Sequence, residues 1–284
     1  LYRIDTLEKL INAFEFVVSP EDKVVTGAVY TPAKIREFIV QSTLGSSTDF
    51  SEIMVCDPAC GCGGFLVSAV KRIRSSTGAS YSDIFLKNIF GLDIQEYSVE
   101  RTELLLTLMA ISEGEDEKKF SFNIFVGNAL DVSWSELVPN FCGFDVVFGN
   151  PPYVCSRNID DKSRRLLQRW SVASSGHPDL YISFFEIGIS ALKPGGRLGY
   201  ITMNTFFKSL NGRSLRSYFE SQRYDLSILD FGDVQVFFSK STYTCICLIN
   251  KSSSNCISYK KAADGTDLSF VSHISIPYDS LDAF

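Results

Sequence analysis

Nowhere in the 284 residues does an uncharged apolar run reach the roughly 18 positions that a membrane-crossing helix requires, which excludes a helical membrane protein. No secretory leader is expected either, because the first ten residues carry Arg3, Asp5, Glu8 and Lys9 inside an apolar pattern. Positive charge is not in excess. Lys and Arg number 27 against 33 Asp and Glu, a net charge of −6, so any contact with a polyanion has to use a local patch. Histidine occurs only at His177 and His273, and no two of the eight cysteines form a Cys-x-x-Cys pair, so the spacing offers no metal site. Without a leader, the cysteines read as reduced thiols of a cytoplasmic protein. Low complexity is absent too: 45% apolar and 21% charged residues are ordinary for a globular fold. The first residue is Leu, so the chain is expected to be part of a longer one.

What is present is an alternation of strands and helices. Residues 1–50 read as a helical lead-in and a turn, with Thr31-Pro32 opening a helix. Short apolar strands are expected at 53–56, 89–92, 122–126, 144–148, 197–203, 226–231 and 243–249, with helices between most of them. This pattern predicts a doubly wound α/β fold with a mostly parallel sheet, in which the last two strands form an antiparallel pair at the edge. Residues 51–250 make the main domain. From Lys251 the texture turns polar, and 251–284 is expected to be a linker and the start of a further module.

In open parallel sheets, ligands bind outside the carboxyl ends of the strands. Four such ends carry an amide or a carboxylate: Asp57, Asp93, Asp131 just past the third strand, and Asn150. Each alone serves as an ordinary turn residue, whereas four in succession point to one crevice for a polar ligand. The first of these ends continues as Asp57-Pro58-Ala59-Cys60-Gly61-Cys62-Gly63-Gly64, where glycines let backbone approach a ligand. It is neither the dinucleotide fingerprint nor a phosphate-cradling loop, because the third glycine comes too early and no Gly-Lys-Ser/Thr follows.

The decisive motif is Asn150-Pro151-Pro152-Tyr153. Two prolines stiffen the loop and remove two N–H donors, leaving carbonyl acceptors beside the Asn amide and the Tyr ring. A planar amino group can donate to Asn150 and to the Pro151 carbonyl while its ring stacks on Tyr153.

With these motifs in this order, residues 7–250 resemble the S-adenosylmethionine-dependent amino-methyltransferases of DNA, in the adenine-N6 branch of bacterial restriction–modification systems. The resemblance implies the seven-stranded class I methyltransferase sheet. It implies that Tyr30 and Thr31, within Gly27–Pro32, cup the methionine end of the cofactor, together with Asp57, Pro58, Ala59 and Gly61. It further implies that Asp93 and Ile94 meet the ribose, that Asp131 reads the cofactor's adenine, and that Asn150 borders both cofactor and substrate. Tyr153 stacks on the target base, with Phe237 on its other face; Phe238 is an alternative. The branch often has Thr or Ser where Cys62 stands.

The implied reaction moves a methyl group to the N6 amine of an adenine flipped out of double-stranded DNA. Arg157, Arg164 and Arg165, in a basic stretch after the loop, suit phosphate contact and equally a solvated helix face. A target-recognition domain or specificity subunit, and a restriction nuclease, are expected outside these 284 residues. The same loop also serves enzymes that methylate a protein glutamine amide or an RNA amino group, and a degenerate assembly subunit would keep the fold without the reaction.

Overall fold

The computed structural model describes residues 6–17, 31–45, 50–117, 119–174, 176–237, 243–263 and 268–280. Its elements run α1 (Leu7–Val17), α2 (Ala33–Leu44), β1 (Val55–Asp57), α3 (Gly64–Thr77), α4 (Tyr81–Lys87), β2 (Ile89–Asp93), α5 (Glu96–Ser112) and β3 (Asn123–Val126). They continue with α6 (Trp134–Leu137), β4 (Phe144–Gly149), α7 (Asp161–Leu167), α8 (Leu180–Ala191), β5 (Leu192–Met203) and α9 (Arg213–Gln222). The chain closes with β6 (Tyr224–Asp230), β7 (Thr244–Ser253), β8 (Cys256–Ala262) and β9 (Phe270–Pro277).

One sheet holds these strands in the order β3-β2-β1-β4-β5-β7-β6-β8-β9. The strands β3, β2, β1, β4 and β5 pair in parallel. The strand order reverses between β1 and β4, which opens the crevice where such sheets bind ligands. Alternate residues feed two cores. Val55, Val146 and Phe148 pack under α2–α5, while Cys56, Phe144 and Val147 pack on the opposite face under α6–α9. Strands covered on both faces must be apolar throughout, which is why they appear as short unbroken apolar runs in the sequence.

Two expectations need correction. The antiparallel strand is internal: β7 pairs antiparallel with both β5 and β6. Its residues Cys245, Ile246 and Cys247 are all fully buried, so it needs cover on both faces and neighbours on both edges. The sheet also exceeds seven strands. The segment read as linker and new module supplies β8, parallel to β6, and β9, antiparallel to β8. The polar residues after Lys251 end one strand and begin the next. β8 is tied down by Asp230, whose carboxylate accepts the Tyr259 hydroxyl (2.6 Å), the Asn204 amide (2.8 Å) and the Gly232 N–H (3.1 Å). Beyond β9, Tyr278 is fully buried and donates its hydroxyl to the Tyr224 carbonyl at 2.6 Å. A smaller difference concerns the start of the fifth strand, expected at 197 and found at Leu192, with Lys193–Gly196 between. Leu192 already pairs with Phe144, and the next pair is Val146 with Arg197, so the turn is a loop-out within β5.

Because Tyr278 anchors the added strands, Tyr278→Ala should cost about 3–5 kcal/mol, the usual range for truncating a buried aromatic. Hydrogen exchange should accelerate in β8 and β9 and stay protected in β1–β5. Uniform acceleration across the sheet would refute a local anchoring role.

Candidate active site

At the crevice between β1 and β4 lies a cavity of about 260 Å³. The loop after β1, the ends of β2 and β3, Asn150, Pro152 and the lead-in residues Ile11, Thr31 and Arg36 all border it. Asp57 closes β1 and is buried, with its Oδ1 accepting the Ala59 N–H at 3.0 Å. Gly149, the last residue of β4, adopts φ +154°, and a Cβ there would lie 2.6 Å from Asp57 Oδ1. Only glycine lets the two strand ends come this close.

Asp93 closes β2. Its oxygens accept the Gly61 N–H (2.9 Å) and the Gln95 N–H (2.9 Å). Gly61, with φ +54°, thus spends its amide on Asp93, and its carbonyl accepts the Thr102 hydroxyl at 3.0 Å. The glycine loop therefore acts first as a frame for two carboxylates. Burial pushes the Asp57 carboxyl up to about 8; the Ala59 amide works against this and the nearby Asp93 adds to it. Burial likewise raises Asp93, opposed by the amides of Gln95 and Gly61. Two carboxylates destabilised side by side favour a cationic ligand. Ile94, 56% exposed, joins Leu130, Pro152 and Phe184 to give the same cavity apolar walls for a planar ring.

Asn150 follows Gly149, and its amide donates to the Thr31 hydroxyl at 3.0 Å. Thr31 is itself buried, just before α2. Within the loop, Asn150 and Pro152 face the cavity and Pro151 is buried. Tyr153 is lodged between Tyr181 and Phe237, edge to face with each at 6.4 and 6.3 Å between ring centres. Burial holds its phenol well above the ordinary range, so it stays neutral.

The residues expected at the site thus divide. Thr31, Asp57, Pro58, Ala59, Gly61, Asp93, Ile94, Asn150 and Pro152 come together at the cavity. Tyr30 and Phe238 fall outside the described residues. Asp131 is a correction: its carboxylate turns outward to pair with Arg169, and both side chains are about half exposed or more. The cavity wall is formed instead by Asn128, two residues past β3, whose Oδ1 accepts the Leu130 N–H at 3.0 Å. The signal for Asn128 was the same as for the other strand ends, a polar residue directly after the strand. Arg164 is engaged by the Ile159 carbonyl (3.0 Å), while Arg157 and Arg165 are exposed. Arg36, Ile11 and Phe184 were not singled out from the sequence; a buried Arg on a helix's first turn resembles any solvated charge there.

Residues 87–237, more than half of the chain, match the Eco57I restriction-modification methylase family. The chain belongs to that family. Among similar curated proteins, RM.Eco57I of Escherichia coli, named a type II restriction enzyme and methyltransferase, is 25% identical over 86% of this chain and 30% of its own length. The type II methyltransferase M.BanIII of Aneurinibacillus aneurinilyticus is 27% identical over 75% of this chain and 36% of its own. The chain therefore spans about a third of the length of those relatives. Among solved structures, the DrdV–DNA complex superposes with TM-score 0.73 at 17% identity, over 90% of this chain and 30% of that one. A Listeria monocytogenes protein assigned to the class I S-adenosylmethionine-dependent methyltransferases gives 0.66 at 13%, over 93% and 75%. These likenesses establish the fold, a class I methyltransferase sheet.

The raised Asp57 carboxyl has a stability signature. The folded chain holds this proton up to about pH 8, whereas the unfolded chain releases it near pH ~4. Stability from this group is thus fully present below about pH 4 and is lost as pH rises through about 8. Asp57→Asn keeps the acceptor for Ala59 and removes the titration. The ligand-free variant should melt close to wild type at pH 4.5 and above it at pH 9. Parallel melting curves at both pH values would contradict the buried carboxylate.

Proposed function

We propose that the chain is the methyl-transferring unit of a restriction–modification enzyme, and that it methylates the N6 amine of an adenine flipped out of double-stranded DNA, with S-adenosylmethionine as donor. The observation that carries this reading is the Asn-Pro-Pro-Tyr loop at the end of β4, with Asn150 anchored to Thr31 and bordering the cavity that holds Asp57 and Asp93.

The cavity fits that donor. Its carboxylates suit an amino group and a sulfonium, Asp93 retains acceptor capacity for vicinal hydroxyls, and Ile94 and Leu130 offer apolar faces for a purine. When bound, S-adenosylmethionine supplies a methyl group already activated by positive sulfur. The protein's own part is positioning and electrostatics. Asn150 Oδ1 and the Pro151 carbonyl accept the two hydrogens of the substrate amine. Those bonds favour a pyramidal nitrogen and concentrate its lone pair toward the donor. No strong base is required, because the amine becomes acidic only after methylation. Asn128 is the better candidate than Asp131 for reading the cofactor's adenine, since it borders the cavity.

Tyr153 and Phe237 touch edge to face, which leaves no slot for a third ring between them. A flipped base therefore has to displace Phe237 from Tyr153, and stacking on both rings returns about 1–3 kcal/mol per contact. Unstacking the base from the duplex costs a few kcal/mol, so the two terms are comparable. Exposed Arg157 and Arg165 suit phosphate contact. The dual name of RM.Eco57I supports a nuclease joined to the methylating unit, and the DNA complex of DrdV supports a DNA substrate. A target-recognition domain or specificity subunit completes the assembly.

The test is methyl transfer from labelled S-adenosylmethionine to mixed-sequence DNA carried by the full-length protein, with nucleosides identified by mass spectrometry. N6-methyladenine is the expected product. Asn150→Ala should lose transfer by about 10²-fold or more, with cofactor affinity nearly kept, whereas Asp93→Ala should mainly weaken that affinity. Another methylated nucleoside, or an Asn150→Ala variant as active as wild type, would overturn the reading.

A further inference from the structure

A chain of polar contacts runs from the lead-in helix to the catalytic loop. Arg36 sits on the first turn of α2 and is 3% exposed. One guanidinium nitrogen donates to the Thr31 carbonyl, and the other meets Glu8 Oε2 of α1 at 2.6 Å. The Thr31 hydroxyl in turn receives the Asn150 amide at 3.0 Å. Glu8 is fixed because α1 is docked. Ile11 is buried in the core, and Arg101 of α5 donates to the Phe14 carbonyl at 3.3 Å while lying over the Phe14 and Tyr97 rings.

We infer that Arg36, held by Glu8, is a positioning residue that sets the orientation of the Asn150 amide through Thr31. An Asn side chain turned by half a revolution exchanges oxygen and nitrogen with almost no change of shape. A hydroxyl can serve either end, so the choice depends on where that hydroxyl is held. With Thr31 pinned by its carbonyl, its hydroxyl oxygen stays 3.0 Å from the Asn150 amide nitrogen, which leaves the amide oxygen for the substrate. An arginine suits this task, because its planar fork satisfies two acceptors in fixed directions, and lysine offers a single point of attachment. A buried cation without its carboxylate is costly, so Glu8 is needed to keep Arg36 in place. The lead-in helix thereby becomes part of the machinery although Glu8 does not border the cavity. This inference rests on the reading of Asn150 as the acceptor for the substrate amine.

The experiment follows the Asn150 side-chain amide in nitrogen–proton correlation spectra of the full chain, assigned as the pair missing from Asn150→Ala. In Glu8→Gln, Arg36→Lys and Thr31→Val, that pair should shift and exchange faster with water. Arg74→Met is the control. That residue binds the Glu115 carboxylate at 3.2 Å and the Gly78 carbonyl at 3.2 Å, so its loss perturbs stability without moving the Asn150 pair. In transfer assays, Arg36→Lys should lower kcat about tenfold and leave KM for S-adenosylmethionine within about twofold. The loss in Arg36→Lys should not add to that in Thr31→Val. An unmoved Asn150 pair in Glu8→Gln and Arg36→Lys overturns the inference, as does a change confined to KM. If the wild-type chain makes no N6-methyladenine while the Asn150 pair still responds to Glu8→Gln, the functional reading falls and the positioning of Asn150 stands.

Discussion

The rest of the site hangs on the contact between Asp57 and Gly149. A carboxylate at the end of one central strand presses against bare backbone at the end of the next, at a distance that no side chain would tolerate. That closeness puts Asn150, the residue after Gly149, beside the acidic wall, so that one cavity holds both the groups suited to a cationic donor and the amide suited to an acceptor amine. Burial of the two carboxylates destabilises the empty site. The backbone amides of Ala59, Gly61 and Gln95 keep them there, an arrangement that trades stability of the free protein for affinity toward positive charge.

The internal antiparallel strand has a bearing on the same site. Because β7 returns between β5 and β6, the β6–β7 connection leaves the sheet at the end where the cavity lies. Phe237 is carried on that connection to the Tyr153 ring. The aromatic partner of Tyr153 is thus a product of strand order, reached across 84 residues of sequence.

Much of this was legible beforehand. Apolar runs marked every strand of the parallel half, since burial on both faces leaves no other composition possible. The cavity residues Asp57, Asp93 and Asn150 were found by one rule, a polar residue at a strand's carboxyl end. The same rule singled out Asp131, which pairs with Arg169 outside the cavity, while Asn128, closer to the strand, borders it. The short helix α4 was missed, being too brief to show a helical period; its cap, Ser80, is what defines it. The place of β7 was hidden because pairing depends on contacts distant in sequence. Residues after Lys251 looked like a boundary because β8 and β9 lie toward an edge of the sheet, where one face or both can remain polar. The Glu8–Arg36–Thr31 chain left no trace at all, as three common residue types gain meaning only when the fold brings them together.

The inserted strand also governs how the protein is made. While β1–β5 emerge from the ribosome, the outer edge of β5 has no partner, and its apolar residues Leu198, Tyr200 and Ile201 await cover. That partner, β7, is complete only at Ser253, fifty residues after β5 ends at Met203. During this interval the nascent chain presents an open sheet edge of the kind that pairs with strangers. Biosynthesis therefore has a vulnerable window, and a stop of translation inside it leaves a half-sheet with an open edge of this kind.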